Sequence, residues 1–241
     1  MNNKTICFFD SGIGGATVLK EVIKTLPNEN YVYYADSTNN PYGNKTKKEL
    51  FKIVCNVVDK LIEYNPKIIV CACNTATSMV LDDIREKYKD ISFVGIEPAI
   101  KVMYDNYSDK KTIILTTTGT KKSPKFKKLY SKYKTKNSIL VEAPKLANLI
   151  ENNKDTFSYL KEMLKDYNDI EVVVLGCTHY PLVKKEIKDI LKNEVFIDGS
   201  IGITKRIKNL LNDNLNNSKG SINIIGDNSK KERILNIIKE S

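Results

Sequence analysis

A parallel α/β architecture is what this sequence predicts, on three observations. Four segments, TICFFDSGIGG, KIIVCACNTATS, KTIILTTTGTKKS and EVVVLGCTHYPLV, share one grammar: a short apolar run ends in small or polar residues and an amphipathic helix pattern follows. The run from Glu171 to Leu175 is short, β-branched and apolar, as strands buried on both faces of a parallel sheet are. The segments IIVCACNTATSMVLDDIREKY and VVVLGCTHYPLVKKEIKDILK echo each other, each with a strand, a small residue, a Cys, a Thr and a helix. The echo suggests two related halves.

Taken in order, TICFFD supplies a strand and the glycine turn DSGIGG opens a helix. The runs YVYYAD, ISFVGIE, NEVFIDGS and SINIIGD add strands to those of the four segments. A boundary is expected near GIEPAI, where a strand end meets Pro98, with a return near residue 207. The expected domains are therefore 1–96 with 208–241, and 97–207. After the polar stretch LLNDNLNNSKGS, the last segment reads as one strand and one helix. Ligands are expected at the carboxyl ends of the strands, where all four polar turns lie.

With 241 residues, 41% of them hydrophobic and 28% charged, the chain can bury a substantial core. No run reaches the length of a membrane-spanning helix, and MNNKTICFFDSG lacks the pattern of a secretory signal, so a cytosolic location is expected. The net charge of +10 comes from 39 Lys and Arg against 29 Asp and Glu. Its lysines are scattered through amphipathic stretches such as VKKEIKDILKN, where solvated helix faces explain them. No basic groove interleaved with aromatics marks a nucleic-acid surface.

Five cysteines, an odd number without a disulfide spacing, are expected to be thiols. Cys7, Cys55 and Cys71 fall inside apolar patterns and read as small buried hydrophobes. Cys73 and Cys177 instead end strands where helices begin, near free backbone N–H groups that favour a thiolate. Asn74-Thr75 follows one and Thr178-His179 the other. Two such cysteines in facing half-sites can form a matched acid and base, with His179 tuning Cys177. A Cys3His zinc site of Cys71, Cys73, Cys177 and His179 competes, though its C-x-C and C-x-H spacings are tight for one.

The turn DSGIGG fails the dinucleotide pattern G-x-G-x-x-G, because position 17 is Thr. It reads better as a tight turn that opens a helix able to hold an anion and presents Asp10 and Ser11. NPYG is a turn, and TTTGT is a hydroxyl-rich turn that binds a carboxylate or caps the next helix.

Together FDSGIGG, ADSTNNPYG, ACNTAT, GIEPA, TTTGT, GCTHYPL and FIDGS, in this order and spacing, closely resemble the glutamate racemases of the aspartate/glutamate racemase superfamily. The match spans nearly the whole chain. It implies two pseudo-symmetric α/β domains with the active site in their cleft. It implies that Cys73 and Cys177 are catalytic thiols on opposite faces of the substrate, with Asp10 the acidic partner of Cys73 and His179 that of Cys177, assisted by Glu151. Ser11, Pro41, Tyr42, Gly43, Asn74, Thr75, Thr117, Thr120 and Thr178, with Asp10, match substrate-binding positions. The resemblance further implies a homodimer that needs no cofactor, metal or nucleic acid and makes D-glutamate for peptidoglycan precursors. Thiols suit the reaction, since an ordinary cysteine titrates near 8.5 and modest tuning yields one thiolate and one thiol. An aspartate racemase with the same thiols is the nearest alternative, and a zinc-stabilised or nucleic-acid-binding protein the alternative from another class.

Overall fold

The structure, a computed structural model, describes residues 4–192, 195–212 and 214–240. In chain order its strands are β1 (Thr5–Asp10), β2 (Tyr31–Ala35), β3 (Pro66–Cys71), β4 (Phe93–Gly95), β5 (Thr112–Thr116), β6 (Ser138–Glu142), β7 (Val172–Gly176), β8 (Val195–Ile197) and β9 (Ile222–Gly226). They form a five-stranded sheet in the order β4-β3-β1-β2-β9 and a four-stranded sheet in the order β6-β5-β7-β8. Every pairing is parallel. The fold is thus α/β, two parallel sheets flanked by helices.

The internal echo has a topological basis. In the first sheet the chain steps from β1 to β2 on one side, then crosses to β3 on the other. In the second it steps from β5 to β6, then crosses to β7. The reversal lies between β1 and β3 and again between β5 and β7, and in open α/β sheets ligands bind at such points. Cys73 follows β3 and Cys177 follows β7.

Residues alternate between faces with period two. Ile6 and Phe8 of β1 join Ile113, Leu115, Val173 and Leu175 of the second sheet in one core that runs between the sheets. Cys7 and Phe9 face the outer side of the first sheet and Ile114 that of the second. The helix Ser200–Leu211 leaves the end of β8 and packs against β4 and the helix Ala16–Thr25.

Two strands differ from expectation. SILVE pairs as β6 although its run is not marked in the sequence, because an edge strand needs only one flank buried; four of its five residues are half-buried. The run NEVFIDGS yields only Val195–Ile197, and its Asn193 and Glu194 lie outside the described residues.

Candidate active site

The carboxyl ends of β1, β3, β5 and β7 bring Ser11, Cys73, Thr117 and Cys177 to one narrow cavity. Its cavity volume is about 20 Å³, room for about one water. Of the residues expected there, Ser11, Pro41, Tyr42, Gly43, Cys73, Thr75, Thr117, Cys177, Thr178 and His179 line it. Asp10, Asn74, Thr120 and Glu151 lie buried behind that lining. Asn44, Thr118, Pro144 and Ala147 also line the cavity and were not singled out, although the first two adjoin the marked turns NPYG and TTTGT.

On the Cys177 side a relay runs inward. Cys177 Sγ lies 3.9 Å from His179 Nδ1, and His179 Nε2 lies 2.8 Å from Glu151 Oε2. The carboxylate is fixed further by the Ile13 N–H, which donates to Oε2 at 2.9 Å, and by the Ser37 hydroxyl, which donates to Oε1 at 2.9 Å. Burial opposes charge on His179, but its hydrogen bonds to Cys177 and Glu151, with the fields of Cys177 and Asp10, prevail and push its pKa up to about 10. Burial likewise works to raise Glu151, yet the His179 hydrogen bond and charge hold it below the usual range. Near neutrality His179 is an imidazolium between a thiol sulfur and a carboxylate, able to donate from both nitrogens.

The Cys73 side is arranged oppositely. Cys73 is the N-cap residue of the helix Asn74–Met79, yet burial pushes its thiol well above the ordinary value, and the charge of Asp10 pushes it further. Asp10 is itself raised to about 6 by burial, which outweighs the positive charge of His179 and the Gly15 N–H donated to its Oδ2 at 2.9 Å. Thr178 donates its hydroxyl to the other oxygen of Asp10 at 3.4 Å. Cys73 therefore stays protonated near neutrality while Cys177 faces a cation. Cys7 and Cys71 are buried and pushed up to about 11 and about 12, which suits their reading as packed hydrophobes.

The DSGIGG turn has a purpose beyond opening its helix. A Cβ at Gly12 would lie 2.2 Å from Glu151 Oε2, and one at Gly14 only 2.4 Å from His179 Nδ1. These glycines let the relay press against the loop. The amides of Ile13 and Gly15 are taken by Glu151 and Asp10, so the anions held at this helix start are the chain's own side chains.

Hydroxyls and amides stand in and behind the lining. Thr75 Oγ1, on the helix that follows β3, lies 2.9 Å from Thr117 Oγ1 and 3.3 Å from Thr120 Oγ1, both beyond the end of β5. Thr117 also caps the helix Thr118–Lys122 by accepting from the Thr120 amide, so TTTGT does cap its helix. Asn74 is 3% exposed, and its side-chain oxygen and nitrogen have no hydrogen-bond partner. Such orphaned groups suit a polar ligand. The loop over the cavity is pinned by Tyr42 donating to Asp36 at 2.6 Å and by Asn40 donating to Ser11 O at 3.2 Å, with a cis bond between Asn40 and Pro41. Among the described residues no group of three or more His, Cys, Asp or Glu side chains is placed to hold a metal ion.

Residues 27–204 match the family described as Asp/Glu/Hydantoin racemase. The chain belongs to this family. It is accordingly an isomerase. It is 44% identical over 247 residues to a glutamate racemase of Clostridium botulinum (strain Alaska E43 / Type E3), covering 96% of this chain and 95% of that protein. It is 43% identical to one of Clostridium acetobutylicum, covering 98% and 96%. Among solved racemases of the family, that of Escherichia coli in complex with L-glutamate and the activator UDP-MurNAc-Ala superposes with a TM-score of 0.84 at 27% identity, covering 98% of this chain and 94% of that one. That of Francisella tularensis in complex with D-glutamate gives 0.81 at 26%, covering 100% and 96%.

Proposed function

We propose that this protein interconverts L- and D-glutamate without a cofactor, moving the α-proton between Cys73 and Cys177. The observation that carries the reading is the placing of two thiols at matched strand ends in one cavity, Cys73 beside the charge of Asp10 and Cys177 with its sulfur 3.9 Å from His179 Nδ1. Racemisation needs a base on one face of Cα and an acid on the other. Cys177, facing the His179 imidazolium, takes the proton in one direction, and Cys73 as a thiol returns one to the opposite face. The carbanionic transition state is stabilised by donors placed before the reaction, in a cleft that excludes water. Asn74, Thr75, Thr117, Thr120, Thr178 and Ser11, with Pro41, Tyr42 and Gly43 of the loop, hold the amino and carboxylate groups.

Glutamate is favoured as substrate because the curated relatives at 44% and 43% identity are glutamate racemases. In that role the protein works in the cytoplasm as a homodimer and supplies D-glutamate for peptidoglycan precursors. No described helix is long and apolar enough to cross a membrane. The chain divides into residues 1–96 with 208–241, and 97–207, and the helix Ser200–Leu211 bridges the two.

The test is substitution of each thiol. Cys73→Ala and Cys177→Ala should each abolish racemisation while circular dichroism and melting stay close to the unmodified protein. Each should lose α-proton exchange for one enantiomer more than for the other. Full racemase activity in either variant would sink the two-thiol reading.

A further inference from the structure

Glu151 is held at two places, and only its side chain belongs to the relay. It ends the six-residue helix Leu146–Glu151. The last carbonyls of a helix lack partners within it and carry the negative end of its dipole. Here two cations from the far end of the chain meet them. The Arg233 guanidinium donates to Ile150 O at 2.8 Å and to Glu151 O at 3.0 Å, and Lys230 Nζ donates to Glu151 O at 3.1 Å. Both cations are half-buried. They sit just beyond β9, the edge strand of the first sheet, where the helix Lys231–Lys239 begins and packs against the helix Ala16–Thr25. The helix that carries Glu151 follows β6 of the second sheet, so this contact ties the C-terminal segment of one sheet to the relay beside the other.

We propose that Arg233, assisted by Lys230, is a positioning residue for the Cys177 thiol, acting through the backbone of Glu151 and the ring of His179. A guanidinium fork on two successive carbonyls fixes both the translation and the rotation of a last helical turn. A six-residue helix is too short to hold that turn by itself. One side chain further on, the Glu151 carboxylate has to meet His179 Nε2, the Ile13 amide and the Ser37 hydroxyl at 2.8 to 2.9 Å. When the clamp loosens, the carboxylate moves off the imidazole, and a buried imidazole without its anion reverts to the neutral form. The Cys177 sulfur then no longer faces a cation held in place 3.9 Å away. The inference deepens the two-thiol reading and rests on it for the kinetic consequence alone.

The experiment uses the full chain with Arg233→Met, Arg233→Lys and Lys230→Met. Iodoacetamide labelling at pH 7, read for each cysteine by mass spectrometry, gives the ratio of Cys177 to Cys73 reactivity. In Arg233→Met that ratio should fall about tenfold and kcat should fall about tenfold with KM changed less than about twofold, the pattern of a misplaced group rather than lost binding. Lys230→Met should move the ratio the same way by less, and Arg233→Lys, which keeps the charge but loses the two-carbonyl fork, should restore only part of it. A folded Arg233→Met with an unchanged ratio, or with both thiols slowed equally, would overturn the proposal. If Arg233→Met does not fold, an unchanged ratio in both other variants overturns it as well. Absence of racemisation in the unmodified protein would remove the racemase reading and leave the labelling ratio to decide the clamp.

Discussion

Replacing Asp10 by Asn should stabilise the protein at neutral pH while impairing its chemistry. Asp10 is wholly buried, and its pKa rises from 3.8 to about 6. A carboxylate raised in the folded state makes folding most favourable while it is protonated, below 3.8, and that advantage is lost as pH climbs through about 6. At 1.36 kcal/mol per pH unit, keeping this group ionised at pH 7.5 costs the native state about 3 kcal/mol, and at pH 5 about half as much. Asn has the same shape, and its oxygen can still accept the Gly15 N–H while its amide faces the Thr178 hydroxyl. Asp10→Asn should therefore melt roughly 6 to 12 °C above the unmodified protein at pH 7.5, with a smaller gain at pH 5. Calorimetry or urea unfolding at the two pH values measures both gains in one series. A variant destabilised at pH 7.5, or one whose gain is the same at both pH values, would refute the reasoning that Asp10 is a strained charge retained for function.

Gly14→Ala places a Cβ 2.4 Å from His179 Nδ1. Steady-state kinetics should show kcat reduced about a hundredfold or more as the ring is displaced, and a variant at full activity would mean the loop can yield. Lys67 and Glu29 form a buried pair at 2.9 Å, each side chain 2% exposed, and Lys67 also donates to Asn214 O and to the Asn216 side chain. Lys67→Met strands the Glu29 charge and should cost about 3 to 5 kcal/mol in urea unfolding, of which the double variant with Glu29→Gln should recover a large part. Glu151→Gln keeps the shape of the side chain but removes the anion that holds His179 charged, so Cys177 labelling at pH 7 should slow several-fold relative to Cys73. Equal labelling would show that His179 does not depend on Glu151.

The strands that deliver the site were legible because a parallel strand buried on both faces leaves a dense apolar run, and β1, β3, β5 and β7 all do so. Cys73 and Cys177 stood out for the same reason, as polar punctuation at the ends of such runs. What was hidden depends on contacts between distant residues. Gly12 and Gly14 read as a tight turn that opens a helix, and their further constraint is the close approach of Glu151 and His179, more than 130 residues away. Lys67 read as one of many solvated lysines, but its partners come from two distant stretches, Glu29 from one and Asn214 and Asn216 from the other, so no local pattern marks it. The strand β6 was missed because half-burial weakens the apolar signal at a sheet edge. That burial holds the Cys73 thiol well above its ordinary value was likewise out of reach, since both cysteines have the same local sequence setting.

The most direct test is wash-in of solvent deuterium at Cα of L- and D-glutamate, with aspartate alongside, on metal-free protein without added cofactor. Exchange accompanied by inversion is expected with both glutamate enantiomers and not with aspartate. Inversion of aspartate instead would keep the two-thiol chemistry and change the substrate. Protein that is folded and leaves Cα of every substrate unexchanged would contradict proton transfer at this site.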